Sequence, residues 1–245
     1  MIARRRFELT IKRVIDVLGA IAGMTLLSPI LAWTAVAVIA GQSRPVFFRQ
    51  ERPGLHGKPF TIIKFRTMRS PRPGEVWYDT DAQRVTRIGR ILRSTSIDEL
   101  PELWNVLRGE MSLIGPRPLL VEYLDHYTAE ERRRHEMRPG ITGWAAVNGR
   151  HASRFEDRLK LDVWYVDHWS LGLDVRILVQ TVSQVLRRTD VAAAQDLSEI
   201  DFPRRFETGL EEAAALLETG VSRPDWRTQE VPFGAPPRDD PTVDE

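Results

Sequence analysis

The chain contains no cysteine. That excludes a disulfide framework and any thiolate metal site, and it suits a reducing compartment. It has neither a Gly-x-x-x-x-Gly-Lys loop nor a Gly-x-Gly-x-x-Gly fingerprint, so two common phosphate-cradling turns are absent. No internal repeat is evident. From Val17 to Ala40 charge is missing altogether, over 24 consecutive residues. The run is too long for a cleaved signal peptide, and no small-residue cleavage site accompanies it.

What is present is a chain of 245 residues, enough for one domain with a sizeable core plus attachments. The net charge of +1 hides an asymmetry. Residues 1–190 carry 30 Lys+Arg against 21 Asp+Glu, whereas residues 191–245 carry 5 against 13. A basic body suits anionic partners such as phosphates or membrane lipids. The chain divides into a basic segment with the uncharged run at 1–45, a basic body at 46–190, which the resemblance given below makes the catalytic domain, and an acidic, Pro-rich tail at 191–245. From Ser222 onward that tail lacks the apolar content to bury itself and is expected to be mobile.

The uncharged run is long enough to cross a bilayer core of about 30 Å. Ser28-Pro29 sits near its centre, where proline removes a helical hydrogen bond. Cations flank both ends: Arg4, Arg5, Arg6, Lys12 and Arg13 before it, Arg44, Arg49 and Arg52 after it. If cations stay on the cytoplasmic side, both ends favour the same side. A helix that enters, breaks and returns satisfies both observations, with the Ser28 hydroxyl bonding a freed carbonyl. A spanning helix with a proline kink is the alternative, and the residues leave the two open.

Further along, Val46 to Phe48 and Phe60 to Ile63 read as short strands around a Pro53–Gly57 turn. Lys64 and Arg66 alternate on an extended segment and so share a face. Arg84, Arg87, Arg90 and Arg93 recur every third residue, a basic stripe on one helix face. They lead into Ser96-Ile97-Asp98-Glu99-Leu100-Pro101-Glu102-Leu103. There Ser96 and Glu99 form a capping-box pattern, and Leu100, Leu103, Trp104 and Leu107 read as one buried helix face. Asp98 and Glu99 either complement the helix dipole or divide a task, one facing a reacting phosphorus and the other holding a metal ion or proton.

Pro116 and Pro118 bracket Arg117 and fix the backbone beside it. Arg138-Pro139-Gly140-Ile141-Thr142-Gly143-Trp144, followed by Asn148 and Arg150, has glycines that allow close approach of backbone to a ligand. Tyr123 to Met137 reads as a polar helix. Arg154 to Trp169 and Asp174 to Arg188 read as amphipathic helices, with Trp164, Tyr165 and Trp169 serving a membrane interface or the core. The fold class that follows is α+β and mostly helical, with a few short strands around the site.

Taken in order, Lys12-Arg13, Ser28-Pro29, Arg52-Pro53-Gly54, Lys64-Phe65-Arg66-Thr67-Met68, Asp98-Glu99-Leu100-Pro101, Gly115-Pro116-Arg117-Pro118 and Arg138-Pro139-Gly140-Ile141-Thr142-Gly143-Trp144 resemble the bacterial sugar transferases. These are small monotopic phosphoglycosyl transferases that begin lipid-linked glycan assembly. The resemblance runs from about Phe7 to Arg188. One departure is Ala146, where the family often has glutamine.

The resemblance implies transfer of a sugar 1-phosphate from a UDP-sugar to polyprenol (undecaprenyl) phosphate, with release of UMP. It implies Mg²⁺, Asp98 as nucleophile and a re-entrant helix on the cytoplasmic face of the bacterial inner membrane. Glu99, with Asp98, is the expected metal ligand, and Lys64, Arg93 and Arg117 the phosphate-neutralising cations. Pro116, Pro118, Asn148 and Arg150 are expected at the nucleotide-sugar site. Phospholipids and downstream glycosyltransferases are expected partners, and nucleic acid is not. The competing reading is a non-catalytic membrane adaptor whose basic face binds anionic lipids.

Overall fold

The computed structural model describes residues 2–42, 44–70, 81–148 and 155–187. In it the uncharged run is divided into α1 (Ile2–Leu26) and α2 (Ser28–Gln42), bent by 62°. Pro29 has no N–H for the Thr25 carbonyl four residues back, and Ser28 Oγ donates to that carbonyl at 2.8 Å instead. Among the described residues no single helix is long and apolar enough to cross a membrane; the bent pair passes only together.

Each arm turns one narrow stripe inward. Lys12, Asp16 and Ala20 are buried along α1, and Thr34, Val38 and Gln42 along α2, both at four-residue spacing. The opposite faces are apolar and exposed, with Phe7, Val14, Leu18 and Ile21 on α1 and Trp33, Val36 and Ile39 on α2. At Gly19 a methyl group would lie 2.6 Å from Leu113 Cδ1, so α1 passes close over the Leu113 side chain.

Next comes an antiparallel hairpin of β1 (Phe47–Pro53) and β2 (Pro59–Phe65), with Phe47 opposite Phe65 and Pro53 opposite Pro59. Then follow α3 (Asp81–Arg84), α4 (Arg87–Ser94), a 3₁₀ turn (Ile97–Glu99) and α5 (Glu102–Arg108). A second, parallel pair joins β3 (Ser112–Ile114) to β4 (Gly140–Thr142). Between its strands lie a 3₁₀ helix (Val121–His126), α6 (Ala129–Arg132) and another 3₁₀ turn (Arg133–Glu136); α7 (Trp144–Asn148), α8 (Phe155–His168) and α9 (Leu171–Arg187) close the fold. Phe60, Ile62, Leu103, Val106 and Met111 pack against Ala20, so the hairpin, α5 and α1 share one core.

Several sequence expectations change here. The arginine stripe is split, because Val85 and Thr86 interrupt the helix and the Thr86 side chain caps α4. Arg84 is buried and donates to Arg69 O, away from the other three. The Tyr123–Met137 segment is three short helical pieces, not one helix, because Tyr127 and Thr128 are extended and the Thr128 side chain caps a new start at Ala129; Tyr123, Tyr127, Arg134 and His135 are all buried. Trp169 donates to Asp174 and Tyr165 is fully buried, so these two aromatics are core, while Trp164 is half-exposed. The glycines bring backbone to backbone: a methyl at Gly115 would lie 2.2 Å from Arg138 O, and at Gly140 2.1 Å from Gly115 N. The acidic tail lies outside the described residues.

Candidate active site

The Asp98-Glu99 pair does not start a capped α-helix. Ser96 adopts a left-handed conformation (φ 54) with no side-chain cap bond, and Ile97–Glu99 forms one 3₁₀ turn before α5 begins at Glu102. The capping box is therefore absent. The α5 register is rotated from expectation as well. Glu102, Leu103, Asn105 and Val106 face inward, while Trp104 is 47% exposed.

That rotation brings in a third carboxylate. Lys64, near the end of β2, extends its ammonium to Glu99 Oε1 at 2.7 Å and to Glu102 Oε1 at 2.9 Å. The first contact is a hydrogen bond; the second is close enough for an ion pair but off the hydrogen-bond direction. Arg117 Nη2 reaches the same Glu99 oxygen at 2.9 Å. Asn105 locks this geometry: its Oδ1 accepts from Ile63 N at 3.1 Å and its Nδ2 donates to Thr61 O at 2.7 Å, pinning α5 to β2.

The electrostatics separate the three acids. Burial pushes Asp98 up to about 6, reinforced by the Glu99 charge and opposed by Lys64, Arg93 and Arg117. Burial alone would raise Glu99 too, but Lys64 and Arg117 overcome it and hold Glu99 near 2. Glu102 is raised to about 7 by burial, only partly offset by Lys64. Lys64 is itself raised, burial being outweighed by Glu102 and Glu99. One ammonium serves two carboxylates: it satisfies Glu99, and Glu102 keeps the greater hold on a proton. Asp98 Oδ1 is buried without a hydrogen-bond partner.

Of the expected residues, Asp98, Glu99, Lys64 and Arg117 converge. Arg93 acts on Asp98 electrostatically, although its guanidinium bonds go to Thr67 Oγ1 and Met68 Sδ. Arg66, just past the end of β2, does not join the carboxylates and instead bonds Gln42 O and Arg44 O. Pro116 and Pro118 are buried beside a crevice with no room for a water molecule. Asn148 donates to Trp144 O on its own helix. Arg150 lies outside the described residues. Glu102 was missed; its position four residues after Asp98, one helical turn on, was the available signal. Arg52 was named as a flanking cation and a motif residue but not as part of the site, yet it lies near Arg117, and burial together with that charge lowers it to about 10.

Two cations gripping one fixed carboxylate, beside a second carboxylate with an unsatisfied oxygen, define a site suited to an enzyme that moves anionic groups. The chain belongs to the bacterial sugar transferase family, whose model matches residues 7–188. It is 52% identical over 176 residues to an uncharacterized sugar transferase, EpsL, of Bacillus subtilis, covering 72% of this chain and 87% of that protein. It is 43% identical over 185 residues to a UDP-glucose:undecaprenyl-phosphate glucose-1-phosphate transferase of Caulobacter vibrioides, covering 71% and 69%. With a UDP-N-acetylgalactosamine-undecaprenyl-phosphate N-acetylgalactosaminephosphotransferase of Aeromonas hydrophila it shares 41% over 184 residues, 72% of this chain but only 44% of that protein.

Proposed function

We propose that this chain transfers a sugar 1-phosphate from a UDP-sugar to undecaprenyl phosphate, releasing UMP, through a phosphosugar carried on Asp98. The reading rests on the names of the relatives and, above all, on Asp98: a buried carboxylate whose Oδ1 has no partner, beside a Glu99 already committed to two cations. An Asp98 oxygen attacks the β-phosphorus, the bond from that phosphorus to the bridging oxygen breaks, and UMP leaves with the electron pair. An oxygen of the lipid phosphate then attacks the same phosphorus. The Asp98–phosphorus bond breaks, which regenerates the carboxylate and yields a lipid diphosphate sugar. Lys64, Arg93 and Arg117 neutralise phosphate charge through both steps.

Mg²⁺ fits this arrangement in one form only. Among the described residues no group of three or more His, Cys, Asp or Glu side chains surrounds a point that could hold a metal ion. A preformed protein cage is thus a poor match. Mg²⁺ commonly takes one or two carboxylates and completes its shell from phosphates and water, and the orphan oxygen of Asp98 together with Glu99 would hold such an ion. Bound there, it would neutralise diphosphate charge.

The same reading makes α1 and α2 a re-entrant hairpin on the cytoplasmic face of the inner membrane. It is supported by their 62° bend, their exposed apolar faces and the cations at both flanks. On α9, Val175, Leu178, Val179 and Val182 form a further exposed apolar stripe suited to the interface. The test of the chemistry is intact-protein mass spectrometry after mixing with a UDP-sugar and Mg²⁺, without lipid acceptor. Wild type gains one phosphosugar, and Asp98→Asn gains none and is inactive. Wild-type turnover in Asp98→Asn would sink the assignment.

A further inference from the structure

Arg134 is 1% exposed, the largest fully buried side chain in the described structure. Its Nε and Nη2 donate to Asp162 Oδ2 at 3.1 and 2.5 Å, and Nη1 donates to Tyr127 OH at 3.3 Å. Nη2 also donates to the backbone carbonyl of Arg117 at 2.6 Å. A buried ion pair is often no more stabilising than apolar side chains of the same volume, so what distinguishes this one is the geometry it imposes.

The segment it holds needs such a tie. Pro116 and Pro118 have no N–H, so the stretch around Arg117 is anchored largely through its carbonyls. Gly140 N donates to Pro116 O at 3.0 Å, and Arg134 donates to Arg117 O. From there the Arg117 side chain runs to Glu99. Asp162 lies on α8, whose Leu159 is in the core with Tyr127.

We infer that the buried Arg134–Asp162 pair is the positioning device for Arg117, setting where its guanidinium meets Glu99 and the substrate phosphate. This rests on the reading of Arg117 as a phosphate-holding cation. The pair touches no substrate; it acts by fixing the carbonyl from which Arg117 projects.

The test compares Arg134→Met combined with Asp162→Leu, which removes the pair without leaving a lone buried charge, and Arg134→Lys, which keeps a cation opposite Asp162 but cannot make all four bonds. Both are measured for melting temperature, for kcat and KM with UDP-sugar, and again in an Arg117→Ala background. In folded protein kcat falls by about 10–100-fold, as expected for a misplaced charged group, while KM changes by less than about threefold. In the Arg117→Ala background either change costs less than about twofold more, since the group it positions is gone. Wild-type kcat in a folded variant overturns the inference, as do losses that multiply with Arg117→Ala. If the apolar pair does not fold, Arg134→Lys decides by the same criteria. Full activity in Arg117→Ala alone would instead refute the reading of Arg117 and leave the positioning contact without a catalytic consequence.

Discussion

Replacing Lys64 with methionine should destabilise the protein strongly, and in a manner that depends on pH. The Lys64 side chain is 19% exposed, and its ammonium lies against Glu99 and Glu102, whose side chains are 8% and 2% exposed. Without it, among the described residues, Glu99 keeps only Arg117 and Glu102 has no counter-charge in direct contact. Breaking a buried pair from one side costs about 3–5 kcal/mol. For a domain of this size each kcal/mol moves the melting temperature by about 2–4 °C, giving a fall of roughly 6–20 °C. The sign of the pH effect follows from Glu102, which is already raised to about 7 with Lys64 present and would rise further without it. A carboxyl raised above its unfolded value binds its proton more tightly when folded, so the penalty is full at high pH and fades as pH falls through the folded value. Circular-dichroism melts of wild type and Lys64→Met in detergent at pH 8.5 and pH 5.5 provide the assay. The gap between them should shrink at the lower pH, and adding Glu102→Gln should recover a large part of it at pH 8.5. A gap equal at both pH values, or one of less than about 2 °C at pH 8.5, would refute the argument.

Three other perturbations probe separate parts of the molecule. On the proposed chemistry Asp98 attacks as a carboxylate; with its carboxyl raised to about 6, kcat/KM should fall with pH on the acid side near that value, and a profile flat from pH 5 to 7 would contradict it. Gly140→Ala places a methyl 2.1 Å from Gly115 N and should cost about 3 kcal/mol in urea unfolding, whereas Gly172→Ala, which meets only Ser170 Oγ at 4.0 Å, should be neutral or slightly stabilising. Ser28→Ala with Pro29→Ala joins α1 and α2 into one helix that, if the proposed membrane placement holds, is able to span, so a cysteine at Ala3 should become reactive to an impermeant thiol reagent in intact cells. A cysteine there that is labelled with Ser28 and Pro29 intact would mean an ordinary spanning helix.

Features that depend on near neighbours in the chain were legible from residue order alone. The break at Ser28-Pro29, down to the hydroxyl bonding a freed carbonyl, follows from proline's missing N–H. The hairpin around the Pro53–Gly57 turn follows from turn residues between apolar runs. The acidic pair, Lys64 and Arg117 were legible as types of residue and through the family they resemble. The rotation of α5 came from packing between distant segments. Asn105 bonds to β2 and turns Glu102 into the site and Trp104 out of it, against the apolar periodicity. Such packing also decided that Arg84, Arg66 and Arg134 are structural cations beneath a surface where the sequence offered only a basic face. An arginine's destination is set by which carbonyl or carboxylate lies within reach, and those partners come from 15 to 28 residues away. Local pattern does not encode that distance. The same holds for charge: whether a carboxylate titrates near 2, 6 or 7 depends on burial and on which of its neighbours holds Lys64, and both are properties of the packed site.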